Sequence, residues 1–567
     1  MLKDLVVSIS LANVLFIHVW QIFLTNHSVT FPYYHWKTTP VPLLLATMFD
    51  VLLLSLVFFV GITLARRSRK KSFSQVARWV FLLMFVLAGI NLLSIALLNP
   101  SSAPVLYDLI RNPRLLFAWQ GATTIYFWLM ILGLSIGWVA MTMMLHSLIY
   151  RRQQLVKLSV LLLLVLSPFV LITFTQAILQ TIRYRFGEQF HEQTASAVAN
   201  PYVKRRVLWL VFDEMDFRLG FAARPTSLQL PEFDRLRQES VFANNAYPPG
   251  GDTVLSLPAL ISGRLVSRAR RTGPNELMLT FADGDLIVPW STQPNVFSRA
   301  RELGLNTGLV GWYHPYCRVI GNSLTECSWE TTSLLFLGTP GIANLMSFSG
   351  DLGIGQCMLQ VAGSPLQAIR VNLARRDPGT LRKVTAQEFN NIHQRAISMA
   401  TDPNLQLVFV HYSIPHPPGI YDRVGKHFAF NSSNGYLDNF ALADRVLREL
   451  RDKMHAAGLW ESTAVVISSD HSLRADRVWK AHMFSNPPFS DKEPAFLNST
   501  TDERVPFIVK LPRQTTGQIY EPPFNTVLSH DLLLALLSGE VSRRDDVVKW
   551  LDRHRTIGKS PYIDEDK

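Results

Sequence analysis

Five apolar runs crowd the first third of this chain, at roughly 5–24, 41–65, 79–98, 118–146 and 157–179, and none of that length recurs beyond residue 200. Each run is long enough for a helix to cross a hydrocarbon core of about 30 Å. A helix is the obvious way to take such a run through lipid, because it satisfies its own backbone hydrogen bonds. The pattern predicts an N-terminal α-helical membrane anchor of about five transmembrane helices, residues 1–179, followed by a large water-soluble part. It also explains a hydrophobic content of 48% beside only 17% charged residues. A cleaved signal peptide is the competing reading of the first run. No clear small-residue cleavage site follows it, and four more runs come after.

Basic residues set the orientation. Arg66, Arg67, Arg69, Lys70 and Lys71 follow the second run, and Arg151, Arg152 and Lys157 follow the fourth. The loops after the first and third runs are poor in Lys and Arg. The positive-inside rule therefore puts the even loops in the cytoplasm and the part beyond the fifth run outside. The net charge of +12 does not call for a nucleic acid. Much of it lies in those loops and in Lys204-Arg-Arg206, where anionic headgroups are the natural counterpart. Three cysteines are too few for a disulfide scaffold. Cys317 and Cys327 are near enough in sequence to pair in an oxidising exterior, which leaves Cys357 over.

Residues 180–203 read as an amphipathic connector on the membrane surface, ended by Asn200-Pro201. From 204 to about 545 apolar strands alternate with helical stretches. Strands are expected at 207–212, 306–311, 406–411, 464–469 and 505–510, and helices at 387–400 and 436–457. This alternation implies an α/β domain with a mainly parallel central sheet, whose ligands gather beyond the carboxyl ends of the strands. The charged stretch 546–567 is expected to be a peripheral tail.

Chemistry-bearing residues fall at those strand ends. Val207-Leu-Trp-Leu-Val-Phe212 runs into Asp213-Glu214, and Ala464-Val-Val-Ile-Ser-Ser469 runs into Asp470-His471. One such end is an ordinary solvated terminus or helix cap; two suggest a shared metal ion, with Asp213, Glu214, Asp470 and His471 as ligands. Thr253 opens Thr253-Val-Leu-Ser-Leu-Pro-Ala-Leu-Ile-Ser-Gly-Arg264. It reads as the N-cap of the following helix and as a nucleophile whose hydroxyl a metal ion activates, two compatible readings because a helix N-terminus also favours the negative charge of an alkoxide or phosphate. His411 and His416, in Val410-His-Tyr-Ser-Ile-Pro-His-Pro-Pro-Gly, are candidates for a second metal, for holding the transferring group or for protonating a leaving group. Lys480 and His482 follow Asp470-His471 closely enough to return to the same site. His314, in Gly311-Trp-Tyr-His-Pro, and Arg264 are candidates for substrate binding.

With those residues in view, 204–545 resembles the sulfatase and alkaline-phosphatase-like superfamily. The markers are Phe212-Asp-Glu, the stretch Thr253 to Arg264, Gly308-Leu-Val-Gly-Trp-Tyr-His314, Pro415-His-Pro-Pro418, Ser469-Asp-His471, Val505-Pro-Phe-Ile508 and Ser529-His-Asp-Leu-Leu. Arylsulfatases carry an oxidised Cys or Ser where Thr253 falls, within Cys/Ser-x-Pro-x-Arg, and a Gly-Lys-x-His where this chain has Gly311-Trp-Tyr-His314. The Thr253 segment and the His411/His416 pair look more like phosphoethanolamine transferases, and a five-span anchor is similar to those enzymes and to lipoteichoic acid synthases. At Asp213-Glu214 the transferases use a Glu, whereas sulfatases and phosphodiesterases use Asp.

That resemblance implies a metal-dependent enzyme of the inner membrane, with zinc or manganese as cofactor and its catalytic domain on the periplasmic side. It would move a phosphoethanolamine- or phosphoglycerol-type headgroup from a membrane phospholipid donor to an envelope glycan or glycolipid acceptor. Thr253 would carry the headgroup between them, with His416, His482 and Lys480 stabilising charge or handling protons. A phosphodiesterase or sulfatase-like hydrolase using water is the alternative. A transporter or a scaffold without catalysis fits less well: the Asp, Thr and His set is complete, and the apolar runs hold few ionisable residues beyond Asp50.

Overall fold

The computed structural model describes residues 1–98 outside 21–33, then 152–186, 190–199, 205–331, 378–430, 435–473, 502–555 and 558–560, with isolated gaps at 18, 38 and 40 and short pieces between 358 and 366. The chain divides into two compact units: one holds Met1–His27, Lys37–Gln189 and Leu337–Arg376, the other Ser28–Trp36, Phe190–Phe336 and Asp377–Lys567.

The first unit is helical. Among the described residues, three helices are long and apolar enough to cross a membrane: Val41–Arg67, Lys71–Leu92 and Gln153–Leu179. Leu52, Leu53, Leu56, Val57, Leu161 and Leu171 stand exposed on them, which suits contact with lipid chains rather than water. The shorter helix Leu2–Leu15 packs against its neighbours and holds Asp4, whose carboxylate pairs with Arg66 at 2.6 Å. Thr173 donates to Asn13 Oδ1 at 3.0 Å inside this bundle. The run expected at 118–146 lies outside the described residues.

The second unit is built on one large sheet. Its principal strands are β1 (Arg206–Asp213), β2 (Val241–Tyr247), β3 (Thr307–Trp312), β4 (Glu326–Glu330), β5 (Leu407–Pro415), β6 (Thr463–Ser469), β7 (Val505–Lys510) and β8 (Gln518–Tyr520), in the spatial order β8-β2-β7-β6-β1-β5-β3-β4. Strand β1 lies at the centre, parallel to β6 on one side and β5 on the other, and β3 and β4 continue in parallel; β7 runs antiparallel between β6 and β2. Every residue of β1, β5, β6 and β7 is buried. That explains their unbroken apolar runs, since helices cover both faces of such a sheet. One face packs against helix Thr253–Ser262 and helix Ser529–Ser538, the other against helix Pro378–Ala400 and helix Tyr436–Ala456. Strands β2 and β4 escaped the sequence reading. Asn244 and Asn245 interrupt β2, and β4 is half-buried, so neither shows a strong apolar signal.

Two boundaries need correction. Residues 180–203, expected as one connector, are divided: 180–186 finish helix Ser167–Phe186, while 190–198 run without regular structure within the second unit. There Gln193 and Ala195 donate backbone N–H groups to the carbonyls of Cys317 and Leu324. The tail expected from 546 is part of the fold. Helix Arg544–His554 buries Val547, Trp550 and Leu551, a one-sided apolar stripe at helical spacing that its charged face obscured. Cys317 and Cys327 form a disulfide, with Cα atoms 5.6 Å apart.

Candidate active site

Three parallel strands end side by side. β1 delivers Asp213, β6 delivers Asp470 just past its last residue, and β5 between Val410 and Tyr412 delivers His411. One ligand atom from each of Asp213, His411 and Asp470 lies within 4.8 Å of the others, and all three residues are buried. His471 joins them, its Nε2 at 3.5 Å from both Asp213 Oδ1 and Asp470 Oδ2. His411, expected to hold a second metal or the transferring group, therefore sits among the metal-ligand candidates. Only the pairing of β5 with β1 makes that visible, since nearly 200 residues separate the two positions.

The turns around these residues aim them. The Glu214 and His471 backbone N–H groups both donate to Asp470 Oδ1, at 3.1 and 2.8 Å, which leaves Oδ2 turned toward the cluster. His411 Nδ1 lies 3.0 Å from the Trp312 carbonyl, so it carries the proton and presents Nε2 as a lone pair. His471 Nδ1 does the same with the Ser472 carbonyl at 2.9 Å. This outer hydrogen bonding is what a metal-binding imidazole needs. Gly311 makes room: a Cβ there would come within 2.6 Å of the Tyr316 ring and 3.2 Å of His411 Cβ.

Thr253 opens helix Thr253–Ser262, yet it is not the cap. Asp252 occupies that position and accepts the Leu255 N–H at 2.9 Å. The Thr253 hydroxyl is thus released from capping and lies 3.3 Å from His471 Nε2, in the cluster. Burial pushes the Asp470 carboxyl above its ordinary range, and it pushes the His411 imidazole down to about 4. Two carboxylates in a dry pocket repel each other, and a cation among them would remove that penalty. His411 Nε2 has no hydrogen-bond partner among the described residues. Buried polar atoms left so are costly unless something binds them. The donor set of two carboxylates and two imidazoles fits a divalent transition metal.

The remaining expected residues fall into three groups. Glu214 is buried with its φ at 61°, and its main chain does the aiming; its carboxylate is not one of the three clustered ligands. His416 is buried near His411, its backbone N–H donating to the Asp213 carbonyl at 3.1 Å and its ring 5.3 Å from that of Trp312. His314 is buried too, with Nε2 at 3.3 Å from the Thr253 carbonyl, so it touches the backbone of Thr253. Arg264 is not at the site. It lies beyond the far end of the ten-residue helix, about 15 Å from Thr253, and pairs there with Asp283 at 2.6 Å. Lys480 and His482 lie outside the described residues.

Residues 205–538 match the family model described as Sulfatase. Solved structures similar to this chain include a sulfatase from Pseudoalteromonas sp. (14% identity, 60% of this chain and 69% of that one, TM-score 0.39). Others are the phosphonate monoester hydrolase of Silicibacter pomeroyi (13%, 59% and 73%, TM-score 0.37) and murine ectonucleotide pyrophosphatase/phosphodiesterase 5 (12%, 59% and 95%, TM-score 0.33). A comparison with curated proteins found no match.

Proposed function

Because this chain belongs to the sulfatase family, and is therefore an enzyme acting on sulfate or phosphate esters, we propose that it transfers a phospho-headgroup from a membrane phospholipid to an extracytoplasmic glycan or glycolipid. The observation that carries this reading is the Thr253 hydroxyl, spared from capping by Asp252 and lying 3.3 Å from His471 Nε2 beside two buried carboxylates. Asp213, His411, Asp470 and His471 would hold a zinc or manganese ion, which when bound supplies Lewis acidity toward a phosphoryl oxygen and toward the Thr253 hydroxyl. The three apolar helices keep the domain with a lipid donor, which a water-soluble hydrolase would not need.

In the first step a bond forms between Thr253 Oγ1 and phosphorus while the phosphorus–oxygen bond to diacylglycerol breaks. The hydroxyl proton passes to the carboxylate of Asp470 beside it. His416 returns a proton to the departing diacylglycerol oxygen. In the second step an acceptor hydroxyl attacks the same phosphorus and gives its proton to His416, while Thr253 leaves with its oxygen and takes back the proton held by Asp470, so the enzyme ends unchanged. The N-terminus of helix Thr253–Ser262 favours the negative charge that the phosphoryl group brings.

The test is mass spectrometry of the purified full chain after incubation with vesicles of phosphatidylethanolamine or phosphatidylglycerol, with manganese or zinc supplied. The expected result is a headgroup-phosphate adduct on Thr253 and free diacylglycerol. Headgroup phosphate released to water with no acceptor present would favour the hydrolase; no adduct with either lipid and no diacylglycerol would overturn the transferase.

A further inference from the structure

The segment Ser28–Trp36 follows the first apolar run in sequence, yet it belongs to the second unit. Two of its residues reach the turn Trp312–His314 at the end of β3. His35 Nδ1 lies 2.8 Å from the Tyr313 carbonyl, and since a carbonyl only accepts, the imidazole donates. The Tyr34 hydroxyl lies 2.9 Å from His314 Nδ1. The other nitrogen of His314, Nε2, faces the Thr253 carbonyl at 3.3 Å and must carry the proton. Nδ1 of a neutral His314 is then the acceptor, and the Tyr34 O–H is its donor. Arg318 in turn donates to the Tyr34 carbonyl, which fixes the clamp from behind. Tyr34, His35 and His314 are all buried.

The turn so held is strained. Tyr313 has φ at 80°, a left-handed conformation that a bulky non-glycine residue adopts at a cost, and such residues persist only where their surroundings impose them. We infer that Tyr34 and His35 are positioning residues: His35 holds the strained Tyr313 turn, and Tyr34 fixes the tautomer in which His314 grips the Thr253 backbone. Neither touches the reacting atoms. The nucleophile's register would thus depend on a segment more than 200 residues upstream, outside the matched 205–538.

Only the kinetic arm of the test rests on reading Thr253 as the nucleophile. Full-length Tyr34→Phe, His35→Ala and His35→Asn would be compared with wild type in detergent by hydrogen-exchange mass spectrometry. They would also be compared by the rate of adduct formation on Thr253 from bis(4-nitrophenyl) phosphate. Tyr34→Phe should slow adduct formation about 10- to 100-fold, the usual effect of losing an outer hydrogen bond to a site residue. It should also speed exchange across 250–262 without changing 463–469. His35→Ala should speed exchange across 311–316, whereas His35→Asn, whose amide nitrogen stands where Nδ1 stood, should restore it. Wild-type exchange in all three variants would overturn the clamp, as would a Tyr34→Phe adduct rate within twofold of wild type. Altered exchange with no adduct even in wild type would leave the clamp standing and sink the phospho-Thr reading instead.

Discussion

Substituting Thr253 and its neighbour Asp252 separately divides chemistry from capping. Asp252 accepts the Leu255 N–H at 2.9 Å, so Asp252→Ala removes the cap of helix Thr253–Ser262 and should cost about 0.5–2 kcal/mol. Thr253→Ala removes a buried methyl and a hydroxyl that caps nothing, which amounts to about 1 kcal/mol of lost burial. In a unit of this size each kcal/mol lowers the melting temperature by only about 2 °C, so the two variants should melt within a few degrees of each other. Their activities should not resemble each other at all. Without the hydroxyl no covalent step is available, and hydrolysis of bis(4-nitrophenyl) phosphate should fall by at least about 10⁴-fold. Asp252→Ala should keep turnover within about tenfold of wild type, because the helix is still held by its buried apolar face. Thr253→Ser should retain part of the rate, since it loses only the methyl that restricts χ1. The assay pairs nitrophenolate release, with manganese or zinc supplied, with thermal unfolding followed by tryptophan fluorescence. Near-normal turnover by Thr253→Ala would refute the reasoning. Equal inactivity of Asp252→Ala would assign the catalysis to the helix terminus rather than to the hydroxyl.

Metal content offers a second check: Asp470→Asn and His411→Ala should each lose bound metal by elemental analysis, while Glu214→Gln, whose carboxylate is not one of the clustered ligands, should keep it. Asp444 accepts the backbone N–H groups of Glu232 and Phe233, and burial raises its carboxyl to about 7. A carboxyl raised above its unfolded value of about 3.9 is protonated in the fold and releases that proton on unfolding, so its burial becomes destabilising as pH climbs from about 4 through 7. Asp444→Asn should flatten that decline, read by denaturant unfolding at about pH 5 and about pH 8; an unchanged slope would count against it. Arg206 donates to the carbonyls of Leu405, Ala400, Met399 and Asp402 at 2.7–3.0 Å and so closes the end of helix Pro378–Ala400. Arg206→Met should cost about 3 kcal/mol or more in a denaturant titration, and a loss below about 1 kcal/mol would show that water replaces the guanidinium.

The pattern of apolar runs alone determined that this chain carries membrane-length helices and then a sheet protein, because apolar run length is a local property that every part of the run reports. The buried strands Arg206–Asp213 and Thr463–Ser469 were legible for the same reason, and their acidic ends marked the site. The cysteine pair could be named but not joined from sequence; the disulfide depends on how Tyr316–Val319 packs against β4. Long-range pairing decided the rest. His411 joins Asp213 and Asp470 only because β5 lies beside β1, and spacing along the chain holds no trace of that neighbourhood. Thr253 and Asp252 compete for one cap, and backbone geometry at the helix start gave it to Asp252. Arg264 travels with Thr253 in sequence but stands a helix length away in space. Tyr34 and His35 reach a turn nearly 280 positions later, with no local pattern to announce them. Local physics writes elements into a sequence, whereas a site gathers residues across strand ends, and their convergence exists only once the sheet has formed.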